Sequence, residues 1–121
     1  LLAKKLNGEL ATYISLTTPG CGFRSLYKSA SPKLESPLII QLDEIDVTIR
    51  KVNNLCVNDN HKWIETACYD KSSYNNFWSE FVIRYPYVIW VLTMNSTPDE
   101  INKLDECYIR KNRIDVTCKF E

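Results

Sequence analysis

The feature that most constrains the fold is a helical stripe of apolar and aromatic side chains, followed at once by an apolar run of strand length. The stripe occupies positions i, i+3, i+4, i+7, i+8 and i+11, held by Tyr74, Phe77, Trp78, Phe81, Val82 and Tyr85. So wide an apolar face predicts a helix packed on a core. Ser72 or Ser73 is a suitable N-cap, and Pro86 forces the helix to end. Residues 87–92 carry no polar alternation, which predicts a central strand covered on both faces.

The same periodicities predict the rest of the chain. The remaining predicted elements are a helix over residues 1–16, an irregular connection over 21–37, strands over 39–52 and 62–69 paired as a hairpin, a helix over 98–112 and a strand over 114–120. The helix 98–112 opens with a capping box that begins at Thr97 and has Pro98 at its first position. The order α-β-β-α-β-α-β predicts one α/β domain over residues 1–121, a mixed sheet with helices on its faces.

The charge balance excludes one class of function. The chain has 15 Lys and Arg against 15 Asp and Glu in 121 residues, so its formal net charge is zero. A broadly basic protein that binds nucleic acid without specificity is therefore excluded. A local basic patch is still compatible with this balance, and Lys103, Arg110, Lys111 and Arg113 gather around the last predicted helix. The default interpretation of that cluster is a solvated helix end whose cations match the helix dipole.

Cysteine usage and the ends of the chain bear on its compartment. The five cysteines form no CxxC pair, and with only His61 beside them a structural zinc site is not expected. Cys68, Cys107 and Cys118 fall within apolar patterns, as small buried hydrophobic residues do. The chain begins with Leu1 and carries no membrane-length apolar run, so we expect an intracellular domain cut from a longer protein. A secreted, disulfide-containing binding domain is the alternative, with Asn95-Ser96-Thr97 as its glycosylation sequon.

Acidic residues on the predicted hairpin are the best candidates for chemistry. Asp46 lies on the first predicted strand and Glu65 on the second, so their carboxylates would project from one face if the strands pair. Two such carboxylates bind Mg²⁺ or Mn²⁺, which activate water and stabilise a phosphodiester transition state. Lys71, just past the second strand, would balance charge or orient the nucleophile. The competing interpretation is an ordinary solvated strand face, where polar residues alternate in the same way.

Two short motifs and the element order resemble the PD-(D/E)xK nuclease-like superfamily. The segment Glu-Ile-Asp-Val at 44–47 is similar to the first acidic strand of that superfamily, and Trp-Ile-Glu-Thr at 63–66 to its second. The resemblance implies Asp46 and Glu65 as metal ligands, Glu9 as a third, and Lys71 as the catalytic lysine. The family's second motif ends in acid-x-lysine, whereas position 67 is alanine here, and the first motif lacks its proline.

These departures leave several functions open. The resemblance implies a nucleic-acid-associated domain that is either a divergent Mg²⁺- or Mn²⁺-dependent nuclease or an inactive relative. A protein-interaction or scaffold domain of a larger assembly is the alternative, because the same architecture also serves without chemistry. Base stacking on the aromatic stripe is the weaker interpretation of residues that have core spacing.

Overall fold

The fold is built from short helices and parallel strands. The computed structural model describes residues 2–20, 22–57, 64, 66–110 and 113–119. Their elements are, in chain order, α1 (Leu2–Lys5), β1 (Glu9–Ala11), α2 (Phe23–Ala30), β2 (Leu38–Leu42), α3 (Ile45–Asn53), α4 (Lys71–Asn76), a π-helical turn (Phe77–Phe81), a 3₁₀ turn (Val82–Arg84), β3 (Val88–Leu92) and α5 (Pro98–Leu104). The α/β class is confirmed, but this order differs from the predicted one.

The three strands form a parallel sheet in the order β1-β2-β3. Parallel neighbours require crossover connections, which α2 supplies between β1 and β2, and α3 and α4 between β2 and β3. The central strand is β2, where Leu38, Ile39 and Ile40 are at most 1% exposed. Residues 87–92 were predicted to form a central strand, but in the described sheet β3 lies at the edge and Ile89 is exposed.

The N-terminal prediction of one helix over 1–16 was also wrong. Helix α1 ends at Lys5, and Asn7 adopts a left-handed φ of 54° that a helix does not continue. A β-carbon on Gly8 would lie 2.5 Å from the carbonyl oxygen of Pro37, so only glycine lets the chain pass this close to the start of β2. Strand β1 then begins at Glu9.

Residues 21–37 contain a helix where an irregular connection was predicted. Helix α2 starts after Gly22, whose φ is 79°, and ends before Ser31, whose φ is 46°. Its apolar face includes Phe23 and Leu26, both buried. The ring centroid of Phe23 lies 5.1 Å from that of Tyr85 and 5.5 Å from that of Trp90, so α2 packs on both the predicted aromatic stripe and β3.

The predicted strand over 39–52 divides into a strand and a helix. Strand β2 ends at Leu42, and α3 begins at Ile45. Ile45, Ile49 and Val52 are each at most 3% exposed, whereas Val47 is 43% exposed. This spacing of four and three residues is helical, and the β-branched side chains had given the same segment an apparent strand alternation. Because residues 45–53 form a helix, they do not form the first strand of the predicted hairpin with residues 62–69.

The second half of the chain follows the prediction more closely. The helix over the aromatic stripe is present as α4 and its two following turns, and it ends before Pro86. Its N-cap is Asp70, which forms a capping box with Ser73, rather than Ser72 or Ser73. Thr97 caps α5 as predicted, but α5 ends at Leu104 and not near residue 112. Residues 64, 66–69 and 113–119 form no strand, and the rest of those two predicted strands lies outside the described residues.

The described cysteines give a partial answer on disulfides. Cys56, Cys107 and Cys118 carry free thiols, and burial raises the pKa of Cys107. Cys21 lies outside the described residues. The secreted alternative therefore stays a prediction.

Candidate functional site

Two neighbouring parallel strands end side by side and are followed by polar residues. Leu42 of β2 pairs with Leu92 of β3, and the next residues are Asp43, Glu44 and Thr93. We call these three residues the acidic edge. The acidic edge therefore lies at the carboxyl ends of the strands, the side on which open parallel sheets bind ligands where their strand order reverses. The described order β1-β2-β3 contains no such reversal.

Thr93 joins the two strand ends through both its backbone and its side chain. Its N–H donates to the Leu42 carbonyl at 3.0 Å, and its carbonyl accepts from the Ile45 N–H at 2.8 Å. Its hydroxyl donates to Oδ1 of Asp43 at 3.1 Å and accepts from the N–H of Glu44 at 3.3 Å. A single hydroxyl oxygen therefore fixes Asp43 and Glu44 relative to each other.

Both carboxylates of the acidic edge are accessible to a ligand. Asp43 and Glu44 are exposed, and Oδ1 of Asp43 also accepts from Nε2 of Gln41 at 2.9 Å. Glu44 adopts the left-handed conformation, with φ 55° and ψ 48°. A glutamate rarely adopts this conformation, and such residues persist only where the surrounding contacts hold them, often at functional sites.

Asp46 lies on helix α3 and faces inwards, not on a strand as predicted. It is 4% exposed, and its Oδ2 accepts from the N–H of Ser96 at 3.1 Å and from the Ser96 hydroxyl at 2.8 Å. Nη1 of Arg50 lies 3.5 Å from the same oxygen. Burial raises the pKa of Asp46, but the hydrogen bonds from Ser96, together with the nearby backbone N–H groups of Asp46 and Val47, outweigh burial and hold that pKa below its ordinary value.

Glu9 does not join Asp46 in the structure. Glu9 pairs with Leu38 at the amino end of β2, whereas Asp46 follows the carboxyl end of that strand. The length of β2 alone separates these ends by about 13 Å, from a rise of about 3.3 Å per residue. The predicted position of Glu9 on a helix was also wrong, since it begins β1.

The remaining members of the predicted catalytic set are not brought together by the described residues. Glu65 lies outside them, so its pairing with Asp46 stays a prediction. Lys71 begins α4, and its Nζ lies 2.6 Å from Oδ2 of Asp105. This hydrogen bond raises the pKa of Lys71 and lowers the pKa of Asp105. The charge of Lys71 is therefore already balanced by a carboxylate beyond α5.

The predicted basic cluster is only partly on the surface. Lys103 and Arg110 are exposed, and Lys111 lies outside the described residues. Arg113 is turned inwards, where its guanidinium donates to Oδ1 of Asn75 at 2.5 Å and to the carbonyl of Cys107 at 2.6 Å. Nucleic-acid binding by this cluster stays a prediction, and Arg113 is the member least available for it.

A separate cavity of about 620 Å³ lies between α2 and the helical segment that follows Asp70. Its walls include Phe23, Phe77 and Phe81, and the guanidinium of Arg24 lies 5.3 Å from the Phe81 ring centroid. None of the residues of the acidic edge lines it. The cavity is therefore distinct from the place where the carboxylates are exposed.

The acidic edge fits one mode of metal binding. Among the described residues, no group of three or more His, Cys, Asp and Glu side chains is arranged to hold a metal ion. A cage made wholly of protein ligands is thus not seen in that part of the chain. Mg²⁺ bound with substrate phosphates needs only one or two protein carboxylates, with phosphate oxygens and water completing its octahedron. Asp43 and Glu44 match that smaller requirement.

Asp43 and Glu44 lie beside Asp46 in the sequence but are not among the predicted ligands, and Thr93 has no predicted role. The signal that identifies them is a mostly apolar strand-length segment that ends in polar residues, which occurs twice: Leu38–Leu42, with Gln41 as its one polar member, before Asp43, and Val88–Leu92 before Thr93. In a parallel sheet both ends lie on one edge, so the two signals describe one site.

Comparison with known proteins gives no relative: no family model, curated protein or solved structure matches the chain. In the described part of the chain, no helix has the length and apolar character needed to cross a membrane.

Proposed function

We propose that the chain carries the metal-binding and water-activating edge of a nucleoside-triphosphate-hydrolysing domain of the P-loop type. The observation that carries this proposal is the contact of Thr93 with Asp43 at the carboxyl ends of two adjacent parallel strands. In P-loop enzymes, an aspartate that follows a strand helps to hold the Mg²⁺ of the bound nucleotide. Asp43 follows β2, the buried central strand.

Asp43 is the residue we assign to the metal. Its carboxylate is exposed, and the hydrogen bonds from Thr93 and Gln41 both reach Oδ1. These two donors fix the orientation of the carboxylate, as the outer-shell partners of metal ligands do. The bound Mg²⁺ would supply charge stabilisation for the transferring phosphoryl group.

Glu44 is the residue we assign to the attacking water. Its backbone is fixed by the left-handed conformation and by its N–H bond to Thr93, and its side chain is exposed beside Asp43. A carboxylate in this position accepts a proton from water or orients that water for in-line attack.

The phosphate cradle of such a site has to come from outside these 121 residues. The chain has three glycines, Gly8, Gly20 and Gly22, and no G-x-x-x-x-G-K-[ST] loop. Among the described residues, β3 pairs only with β2, so its other edge is open to a further strand. A parallel strand added there would end beside Thr93 and deliver its loop to the acidic edge.

The contacts of the predicted nuclease residues favour this proposal over a nuclease. Asp46 is buried against Ser96, and Lys71 is paired with Asp105. The Asp46 carboxylate is buried and the Lys71 ammonium is already paired, whereas Asp43 and Glu44 are adjacent in sequence and accessible. The nuclease and scaffold functions stay untested predictions.

Binding of a fluorescently labelled ATP, with Mg²⁺ and with EDTA, tests the proposed function. We expect Mg²⁺-dependent binding in the millimolar range, weakened about tenfold or more by Asp43→Asn. Glu44→Gln should keep binding, because it leaves the metal ligand in place. Glu35→Gln is the matched control, since Glu35 is an exposed acid before the opposite end of β2. Equal binding of ATP with Mg²⁺ and with EDTA would contradict a metal site at Asp43.

A further inference from the structure

We infer that Asp46 is a positioning residue that holds the loop after β3, residues 93–97, so that Thr93 keeps the acidic edge in place. This inference rests on the proposed function, because it assigns Asp46 a role in the metal site that Asp43 forms. Asp46 touches neither the exposed face of Asp43 nor that of Glu44 in the contacts described above. It acts through Ser96.

The Asp46 carboxylate is buried and accepts several hydrogen bonds. Its side chain is 5% exposed, and three donors converge on Oδ2: the Ser96 N–H, the Ser96 hydroxyl and Nη1 of Arg50. Its Oδ1 is also buried and has no hydrogen-bond partner among the described residues. A buried carboxylate with one unsatisfied oxygen costs free energy, which the bonds to Ser96 must offset.

Ser96 lies near the far end of the loop that Thr93 begins. Thr93 opens the loop and bonds Asp43 and Glu44, while Ser96 lies three residues later and bonds Asp46. Helix α3, which carries Asp46, begins directly after the acidic edge. The loop is thus attached at both of its ends to one short stretch, residues 43–46. If Ser96 is released, the Thr93 hydroxyl still bonds residues 43 and 44, but the described hydrogen bond from this loop to Asp46 is lost.

The contacts of Asp46 also reach α5 through Arg50. Arg50 lies one turn after Asp46 on α3, and its Nη2 is 3.9 Å from Oε2 of Glu100. Thr97 caps α5 through the Glu100 N–H, so the loop ends in a fixed helix start. The negative charge of Asp46 therefore fixes the loop, and a neutral amide of the same shape would remove the charge from these hydrogen bonds.

The test compares four variants in two measurements. Asp46→Asn and Ser96→Ala remove the interaction from each side, and Ser96→Thr keeps the hydroxyl as the conservative variant. Ile101→Val loosens the packing of α5 at a fully buried position without touching Ser96. The first measurement is the Kd for Mn²⁺ in the presence of ATP, which supplies the phosphate ligands, from paramagnetic broadening of the amide signals of residues 43, 44 and 93. The second is the amide exchange rate of Glu44 and Ile45, whose N–H groups bond Thr93.

Asp46→Asn and Ser96→Ala should each raise the Kd for Mn²⁺ about tenfold. They should also speed exchange at Glu44 and Ile45 about tenfold, since the opening is local. The double variant should cost no more than either single one, because both remove the same interaction. Ser96→Thr and Ile101→Val should leave both quantities within about twofold of the wild type.

Two different results would contradict the positioning role of Asp46 and the proposed metal site separately. If the wild type binds Mn²⁺ at these signals and Asp46→Asn changes neither the Kd nor the exchange rates, the positioning role is wrong and the metal site stands. If the wild type shows no Mn²⁺ broadening, the proposed function is wrong. The exchange rates then decide whether Asp46 holds the loop, since they need no metal.

Discussion

The hydroxyl of Thr93 lies 3.1 Å from Oδ1 of Asp43, across the ends of two strands that are adjacent in space and 50 residues apart in sequence. The same oxygen accepts the N–H of Glu44. This one side chain holds the carboxylate of Asp43 and the backbone of Glu44 at the carboxyl ends of two parallel strands, and both acidic side chains are exposed there. The proposed phosphoryl-transfer role depends on this arrangement.

Replacing Glu44 by glycine should stabilise the fold while it removes a site residue. The left-handed conformation of Glu44 is unfavourable for a side chain with a β-carbon, so Glu44→Gly should raise the free energy of unfolding by roughly 0.5–1 kcal/mol. Ser31→Gly relieves the same kind of strain far from the acidic edge, at a φ of 46°. Urea unfolding of both variants checks this, and a loss of stability in Glu44→Gly would show that its side chain is needed for folding rather than for chemistry.

Asp46 should make the stability of the chain depend on acid pH. Its pKa in the folded protein lies below the ordinary value of 3.8, so its contribution is complete above that value and is lost as the pH falls through the folded pKa. Asp46→Asn should therefore lower the free energy of unfolding by about 1–3 kcal/mol at neutral pH. The difference from the wild type should shrink below pH 3.8.

Urea unfolding across this pH range measures that difference. Asp115→Asn, at an exposed residue, controls for the loss of one negative charge. A wild-type advantage over Asp46→Asn that persists unchanged below the folded pKa would contradict the assignment.

Arg113 should behave as a structural residue rather than as a surface cation. Its planar guanidinium donates hydrogen bonds to Asn75, Cys107 and Ser79, and the single ammonium group of a lysine cannot reproduce this geometry. Arg113→Lys keeps the charge but should lower the free energy of unfolding by about 1–3 kcal/mol. Lys103→Gln removes a charge at an exposed position and should change stability by less than about 0.5 kcal/mol. Thermal unfolding of both variants measures this contrast. Equal stabilities would mean that Arg113 is a surface cation and not a structural residue.

Gly8 should not tolerate a side chain. The β-carbon of alanine would meet the Pro37 carbonyl oxygen at 2.5 Å, and that oxygen also accepts the N–H of Glu9. Gly8→Ala should therefore lower the free energy of unfolding by about 1–3 kcal/mol and speed exchange of the Glu9 amide. Thr12→Ala, at an exposed side chain just past β1, is the control. Wild-type stability and exchange in Gly8→Ala would mean that the chain does not pass this close to Pro37.

The parts of the fold that could be predicted from sequence are those where local and tertiary preferences agree. Pro86 and the aromatic stripe fix one helix, and Thr97 with Pro98 fixes the start of another. Helix α3 could not be predicted because Ile45, Val47 and Ile49 fit a strand alternation, and only burial shows that Val47 is outside the core. Propensity alone does not separate these two states for β-branched residues.

The site could be predicted only in part, for a reason of topology. Asp43 and Glu44 attract attention as acids, but Thr93 is an ordinary residue until β3 is placed beside β2. The hairpin hypothesis gave Asp46 a partner on the next strand in sequence, whereas the parallel crossover brings residues 50 positions away to the same edge. Element order alone did not contain this information.

Mn²⁺ titration of the isotope-labelled chain in the presence of ATP, followed by backbone NMR, tests the central claim most directly. The acidic edge should lose signal first, at Asp43, Glu44 and Thr93, because a paramagnetic ion bound to Asp43 lies within a few ångströms of these amides. Asp43→Asn should abolish this selective broadening, and Glu35→Gln should leave it unchanged. Broadening that persists in Asp43→Asn, or that begins elsewhere in the wild type, would contradict the account.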